Sequence, residues 1–126
     1  MACDFGVRFK NPSTYPNIDS SLTYAYNISM KKLIFEWDSK KDKTNVKKHG
    51  VTFKEAQTSF HDEYAIQFFD PDHSEDEERY ILLGTSFKLK TLIVCHCYRQ
   101  EETIVRIISA RKADKDEAEA YWSNRL

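Results

Sequence analysis

No run in this chain approaches the roughly 18 consecutive apolar residues that a membrane-spanning helix needs, so no helical span is expected. The N-terminus also lacks the continuous apolar segment of a secretory signal. Cysteine is scarce. Cys3, Cys95 and Cys97 are an odd set without framework spacing, and Cys95 and Cys97 would share one face of a strand, a poor geometry for a bridge. A reducing, cytoplasmic setting fits this usage. Net charge is nearly absent as well, at −1. That value says little for nucleic-acid binding taken globally; the distribution of the charge says more.

The chain has 126 residues, of which 40% are hydrophobic and 31% charged, which suits one small globular domain without a second core. Aromatic residues, at 13%, supply large apolar side chains for that core. The charge is polarised. Lys40, Lys41, Lys43, Lys47 and Lys48 form a basic block, and Asp70, Asp72, Glu75, Asp76, Glu77 and Glu78 an acidic one.

Residues 1–29 are patterned unlike the rest. Asn11-Pro12-Ser13 and Tyr15-Pro16-Asn17 are turn signals, and no helical or strand period persists. A poorly ordered N-terminal extension is expected there, with a folded domain over 30–126 opening at Met30-Lys31-Lys32. Leu33–Trp37 reads as a short strand. Asp38 or Ser39 then caps a helix running to about His49, and Gly50 is placed for the left-handed stop. Val46 is the only apolar residue between 39 and 48. Lys40, Lys43 and Lys47 fall on one face, where like charges repel by a few tenths of a kcal/mol per pair, roughly. Packing does not require that arrangement; a solvated face and a phosphate-binding face both fit it.

Thr52 and Glu55 read as a capping box for a second helix, with Phe53, Ala56 and Phe60 as its buried stripe. Strands are expected at Tyr64–Phe69, Arg79–Thr85, Thr91–Arg99 and Thr103–Arg111, with a polar loop over 70–78 and a turn over 87–90. On the third of these, Leu92, Val94, His96 and Tyr98 lie on one face, and Ile93, Cys95 and Cys97 on the other. Asp114 and Glu117 box the last helix, whose stripe is Ala118, Tyr121 and Trp122. The order is β-α-α-β-β-β-β-α, an α+β fold with a mainly antiparallel sheet.

Several residue groups could carry chemistry. Asp70, Asp72, His73, Glu75 and Asp76 are oxygen and imidazole donors that would suit magnesium or manganese, although the loop has no EF-hand spacing; a solvated loop turning at Pro71 is the simpler reading. If Arg99 and Thr103 flank their turn as partners, His96 faces Arg106, an acid–base group beside a phosphate clamp. A one-residue slip would separate them. Arg79 and Arg111 lie at strand ends, where they could bind phosphate or pair with acids. Tyr121 and the cysteines read as packing residues.

The segments FEWDSKKDKTNVKKHGVTFKEA, DPDHSEDEERYILLG and VRIISARKADKDEAEAYW, in that order, resemble the BrnT toxin family, of RelE-like ribonuclease fold. The likeness spans about residues 30–122. It rests on Trp37-Asp38, Asn45, Lys48-His49-Gly50-Val51, Phe53, Ala56, His73, Glu78-Arg79, Gly84 and the run Arg106–Arg111. The resemblance implies the toxin of a bacterial type II toxin–antitoxin system, a cytoplasmic endoribonuclease that cleaves RNA and inhibits translation without a metal or other cofactor. It also implies a BrnA-like ribbon-helix-helix antitoxin as partner, with operator DNA bound only through the complex. On this reading Lys40, Lys43, Lys47 and Lys48 hold the RNA backbone, while Arg79, Arg106 and Arg111 stabilise the phosphorane. His49, Glu78 or His96 moves protons. The alternatives are an inactive homologue acting as co-repressor and a metal-dependent phosphoesterase using the acidic loop.

Overall fold

The structure is a computed structural model, and it describes residues 33–73, 77–100 and 103–125. The expected extension over 1–29 and the boundary at Met30 lie outside the described residues. The elements follow the order that the spacing predicts: β1 (Ile34–Glu36), α1 (Ser39–His49), α2 (Phe53–Thr58), β2 (Ile66–Phe69), β3 (Arg79–Thr85), β4 (Thr91–Arg99), β5 (Ile104–Lys112) and α3 (Lys115–Arg125). The strands form one sheet of five in the order β1-β5-β4-β3-β2. All neighbours are antiparallel except β1 and β5.

Strand alternation divides the core between the two faces of the sheet. Val51, Phe53, Ala56 and Phe60 cover one face, packing on Leu82, Leu92, Val94, Val105 and Ile107. On the other face, Ala120 and Tyr121 of α3 cover Ile66, Ile81, Leu83 and Ile93. Cys95, Cys97 and Ile108 continue this second face toward the far strand ends.

The lysine-rich helix α1 has little apolar surface with which to dock. Asp38 starts it by accepting the Lys40 N–H at 2.7 Å, and Gly50 stops it at φ 70° with its N–H on the Val46 carbonyl. Its one buried residue, Asn45, provides the anchor. The Asn45 amide donates to the carbonyls of Val51 (2.8 Å) and Ala110 (2.7 Å), and its oxygen accepts the Ala110 N–H at 3.0 Å. β1 pairs with β5 only from Ile104 to Arg106. Beyond that point the side-chain amide serves Ala110 as a strand would, satisfying a buried donor and acceptor.

Three local expectations change. Thr52 does cap α2, accepting the Glu55 N–H at 3.0 Å. The Glu55 carboxylate, however, accepts the Ser86 hydroxyl at 2.8 Å, tying α2 to the β3–β4 hairpin. In α3 the capping box is reciprocal, with Glu117 N–H to Asp114 at 2.8 Å and Asp114 N–H to Glu117 at 2.9 Å. Its buried face is Glu117, Ala120 and Tyr121, because Glu117 is drawn inward by Arg111, and Trp122 is left 45% exposed. Finally, Arg99 pairs with Ile104, which lengthens the turn by a residue, and the register shifts again between Cys95 and His96. Arg106 therefore faces Cys97, whereas His96 faces Ile107. The bulge has a packing cause. Val105, Ile107 and Ala110 are all buried in the same cluster, and strict alternation could not place them together.

Candidate active site

Strand pairing lines up Glu36 of β1, Arg106 of β5, Cys97 of β4 and Arg79 of β3 in a row across the sheet. Arg99 lies two residues beyond Cys97, so it shares that face. Carboxylates and guanidinium groups alternate here. Arg106 Nη1 is 3.0 Å from Glu36 Oε2, and Arg99 Nε is 3.3 Å from the same oxygen. Arg99 Nη2 lies 3.9 Å from Glu77 Oε2, and Arg79 Nε 3.9 Å from Glu77 Oε1. Among the described residues, three arginines thus share two carboxylates. These side chains are 24–48% exposed, although the Arg79 Nε atom itself is buried.

Neighbouring groups set the chemistry of this corner. Burial, followed by the Glu77 charge, pushes the Cys97 thiol up to about 11, so it stays protonated and is not a nucleophile at neutral pH. The Lys40 N–H bond, with help from the Lys41 and Arg106 charges, holds the Asp38 carboxyl below its ordinary value. Asp38 follows Glu36 by two residues, and Glu36 pairs with Arg106, so the chain itself brings the start of α1 toward this corner. Glu78 is exposed and accepts the Tyr80 hydroxyl at 3.2 Å. It directly precedes Arg79 and flanks the same strand end.

The expected site residues are thus divided. Arg79 and Arg106 come together in the row, whereas Glu78, next to Arg79 in sequence, turns its carboxylate to Tyr80, and exposed Lys40 lies in the first turn of α1. Exposed Lys43 follows, and Lys47, Lys48 and His49 occupy the last turn. An 11-residue helix is about 16 Å long, which separates those last residues from the relay. Arg111 lies under α3, where its fork grips Glu117 at 2.7 and 2.9 Å.

His96 is on the opposite face from Arg106 and is fully buried. Its Nδ1 is 3.0 Å from the Val94 carbonyl, and its Nε2 is 2.8 Å from the Gln67 side chain. Desolvation lowers its pKa to about 4, against the opposing effect of the Val94 bond. The imidazole is therefore neutral at physiological pH. The paired arrangement of His96 and Arg106 expected from a simple hairpin register is not present.

Sequence reasoning missed Glu36, Glu77 and Arg99 as partners in this cluster. The long-range parallel pairing of β1 with β5 is what brings Glu36 to Arg106. Of the acidic loop, residues 74–76 lie outside the described residues. Among the described residues, no three His, Cys, Asp or Glu side chains gather as a metal site would require. No described helix is long and apolar enough to cross a membrane.

A family profile described as "Ribonuclease toxin, BrnT, of type II toxin-antitoxin system" matches residues 37–117. No curated protein sequence matches the chain. Among solved structures, the 1.1 Å crystal structure of the Brucella abortus ribonuclease toxin BrnT aligns at 24% identity and a TM-score of 0.47, covering 68% of this chain and 99% of that one.

Proposed function

From the premise that the chain belongs to the BrnT family of ribonuclease toxins of type II toxin–antitoxin systems, we propose that it is a metal-independent endoribonuclease acting at the Arg79–Arg99–Arg106 corner. The observation that carries this reading is the shared-carboxylate relay. Glu36 and Glu77 each lie between two guanidinium groups, where a phosphate could take a carboxylate's place.

The 2′-hydroxyl attacks the adjacent phosphorus, the bond to the 5′-oxygen breaks, and a 2′,3′-cyclic phosphate and a 5′-hydroxyl result. Glu78 accepts the 2′-hydroxyl proton, and solvent protonates the departing oxygen. The arginines stabilise the charge that builds on the phosphorane. Lys40 and Lys43 guide the flanking backbone toward the site, and Lys47, Lys48 and His49 extend that track. Arg111 and His96 serve the fold. In the cell, RNA cleavage arrests translation in the cytoplasm. A BrnA-like ribbon-helix-helix antitoxin neutralises the enzyme, and the complex represses its operon by binding operator DNA.

The test is cleavage of RNA by the purified protein in EDTA, with the product ends identified. Cleavage that persists and leaves cyclic phosphate ends supports the proposal. Loss of cleavage on chelation points to a metal-dependent phosphoesterase. Absence of cleavage with and without ribosomes, together with no growth arrest on expression, points to an inactive co-repressor.

A further inference from the structure

The same strand ends carry aromatic rings on the face opposite the arginines. Phe69 of β2 pairs with Tyr80 of β3, their ring centroids 5.7 Å apart, and Tyr80 lies 5.5 Å from Tyr98 of β4. Phe69 is 46% exposed, and both tyrosines are partly exposed. A single exposed phenylalanine carries nothing by itself; here it adjoins two further rings at one strand end.

These rings are held in position. Tyr98 donates its hydroxyl to Gln67 at 2.6 Å, and Tyr80 donates to Glu78 at 3.2 Å. Beneath them, His96 stacks against Tyr80 with centroids 6.3 Å apart and planes at 30°, and meets Tyr98 edge-on at 5.3 Å. The outer rings therefore form a rigid surface that loses little freedom when covered. Their sequence neighbours matter as much. Arg79 precedes Tyr80 and Arg99 follows Tyr98. Successive strand residues point to opposite faces, so each tyrosine is backed by a guanidinium across the strand end.

A ligand suited to this edge has anionic groups next to flat rings. Single-stranded RNA has that form: phosphates at the strand ends and an unpaired base turned onto the aromatic surface. We infer that Phe69, Tyr80 and Tyr98 form a stacking shelf for an unpaired RNA base next to the phosphate site. This inference rests on the ribonuclease reading above and adds the part of the substrate that the arginines do not contact. The shelf favours purines, which present the larger ring face. It rejects duplex RNA, whose bases are already stacked and paired.

The test uses the full chain and a short single-stranded RNA carrying one 2-aminopurine. Binding should quench the fluorophore. Phe69→Leu, which keeps apolar bulk but removes the ring, should weaken binding about tenfold, the order that one stacked base supplies, and reduce the quench. Phe69→Tyr should retain both. The Phe69→Leu salt dependence should match wild type, whereas Arg79→Ala should make it shallower. A duplex of the same sequence should bind at least about tenfold more weakly. Wild-type affinity and quench in Phe69→Leu, or equal binding of duplex, would overturn the shelf while leaving the arginine site standing. Failure of the wild-type protein to bind any RNA would overturn both.

Discussion

The molecule uses arginine and glutamate in two contrasting ways on one face of its sheet. Under α3, Arg111 meets Glu117 through two short bonds, with side chains only 15% and 1% exposed. At the opposite strand ends, Arg79, Arg99 and Arg106 share Glu36 and Glu77 at 3.0–3.9 Å, in side chains 24–48% exposed. The first pair is fixed by burial and by the Asp114 cap bond to Glu117. The second is wetter and asymmetric, with three guanidinium groups on two carboxylates among the described residues. Identical chemistry therefore takes two forms: a closed clamp that stabilises the fold, and an open relay that, on the proposed function, exchanges its carboxylates for a phosphate.

The largest expected effect lies in the closed clamp. Glu117→Ala leaves the Arg111 guanidinium buried without its carboxylate and should cost about 3 kcal/mol of stability. Urea denaturation checks this, and the double replacement Arg111→Met with Glu117→Leu should recover part of the loss. A loss below about 1 kcal/mol, the usual range of a surface pair, would erase the distinction between the two regions.

The buried His96 gives the next effect. Its folded pKa of about 4 lies below the ordinary 6.5, so protons prefer the unfolded chain. Its stabilising contribution is full above about pH 6.5 and declines as pH falls toward 4. From pH 7 to pH 5 the decline should be about 2 kcal/mol. Chemical denaturation at both pH values should show this in wild type, and His96→Gln should lose that part of the dependence whatever its stability at pH 7.

Glu36→Gln sharpens the contrast from the open side. It should change stability by less than about 1 kcal/mol, because its partners remain hydrated. It should also tighten RNA binding and steepen the salt dependence, since one competing carboxylate is removed from Arg99 and Arg106. Filter binding across a salt series reads both. Unchanged affinity with a large loss of stability would make Glu36 a structural residue like Glu117. The smallest effect lies outside both regions, at Leu89, which is 84% exposed at φ 63°. Leu89→Asn should stabilise the protein by about 0.5 kcal/mol, by easing the left-handed backbone. Thermal denaturation would register it as a small upward shift of Tm.

What could be read from the sequence was mostly local. Asp38 and Gly50 delimit α1, Thr52 opens α2, and Asp114 with Glu117 opens α3, because each device acts within a few residues. The strands themselves, though not their order in the sheet, follow from alternating apolar positions. The register did not follow, because it depends on a longer turn after Arg99 and a bulge that brings Val105, Ile107 and Ala110 to one face. The longer turn alone separated His96 from Arg106.

The site was legible only in pieces. Arg79, Arg106 and Glu78 could be named from their strand-end positions. Glu36 could not, because its bond to Arg106 joins residues 70 positions apart. His96 resembled an acid–base residue until its packing against Phe60 and its Gln67 contact placed it in the core. Arg111 resembled a phosphate ligand until Glu117 filled its fork.

The most direct measurement is the RNA cleavage rate of Arg106→Ala, taken beside its thermal stability. With Tm within a few degrees of wild type, the open-relay account predicts a rate at least about 100-fold lower, the scale of losing one transition-state donor. Cleavage at the wild-type rate by a folded Arg106→Ala protein would contradict it.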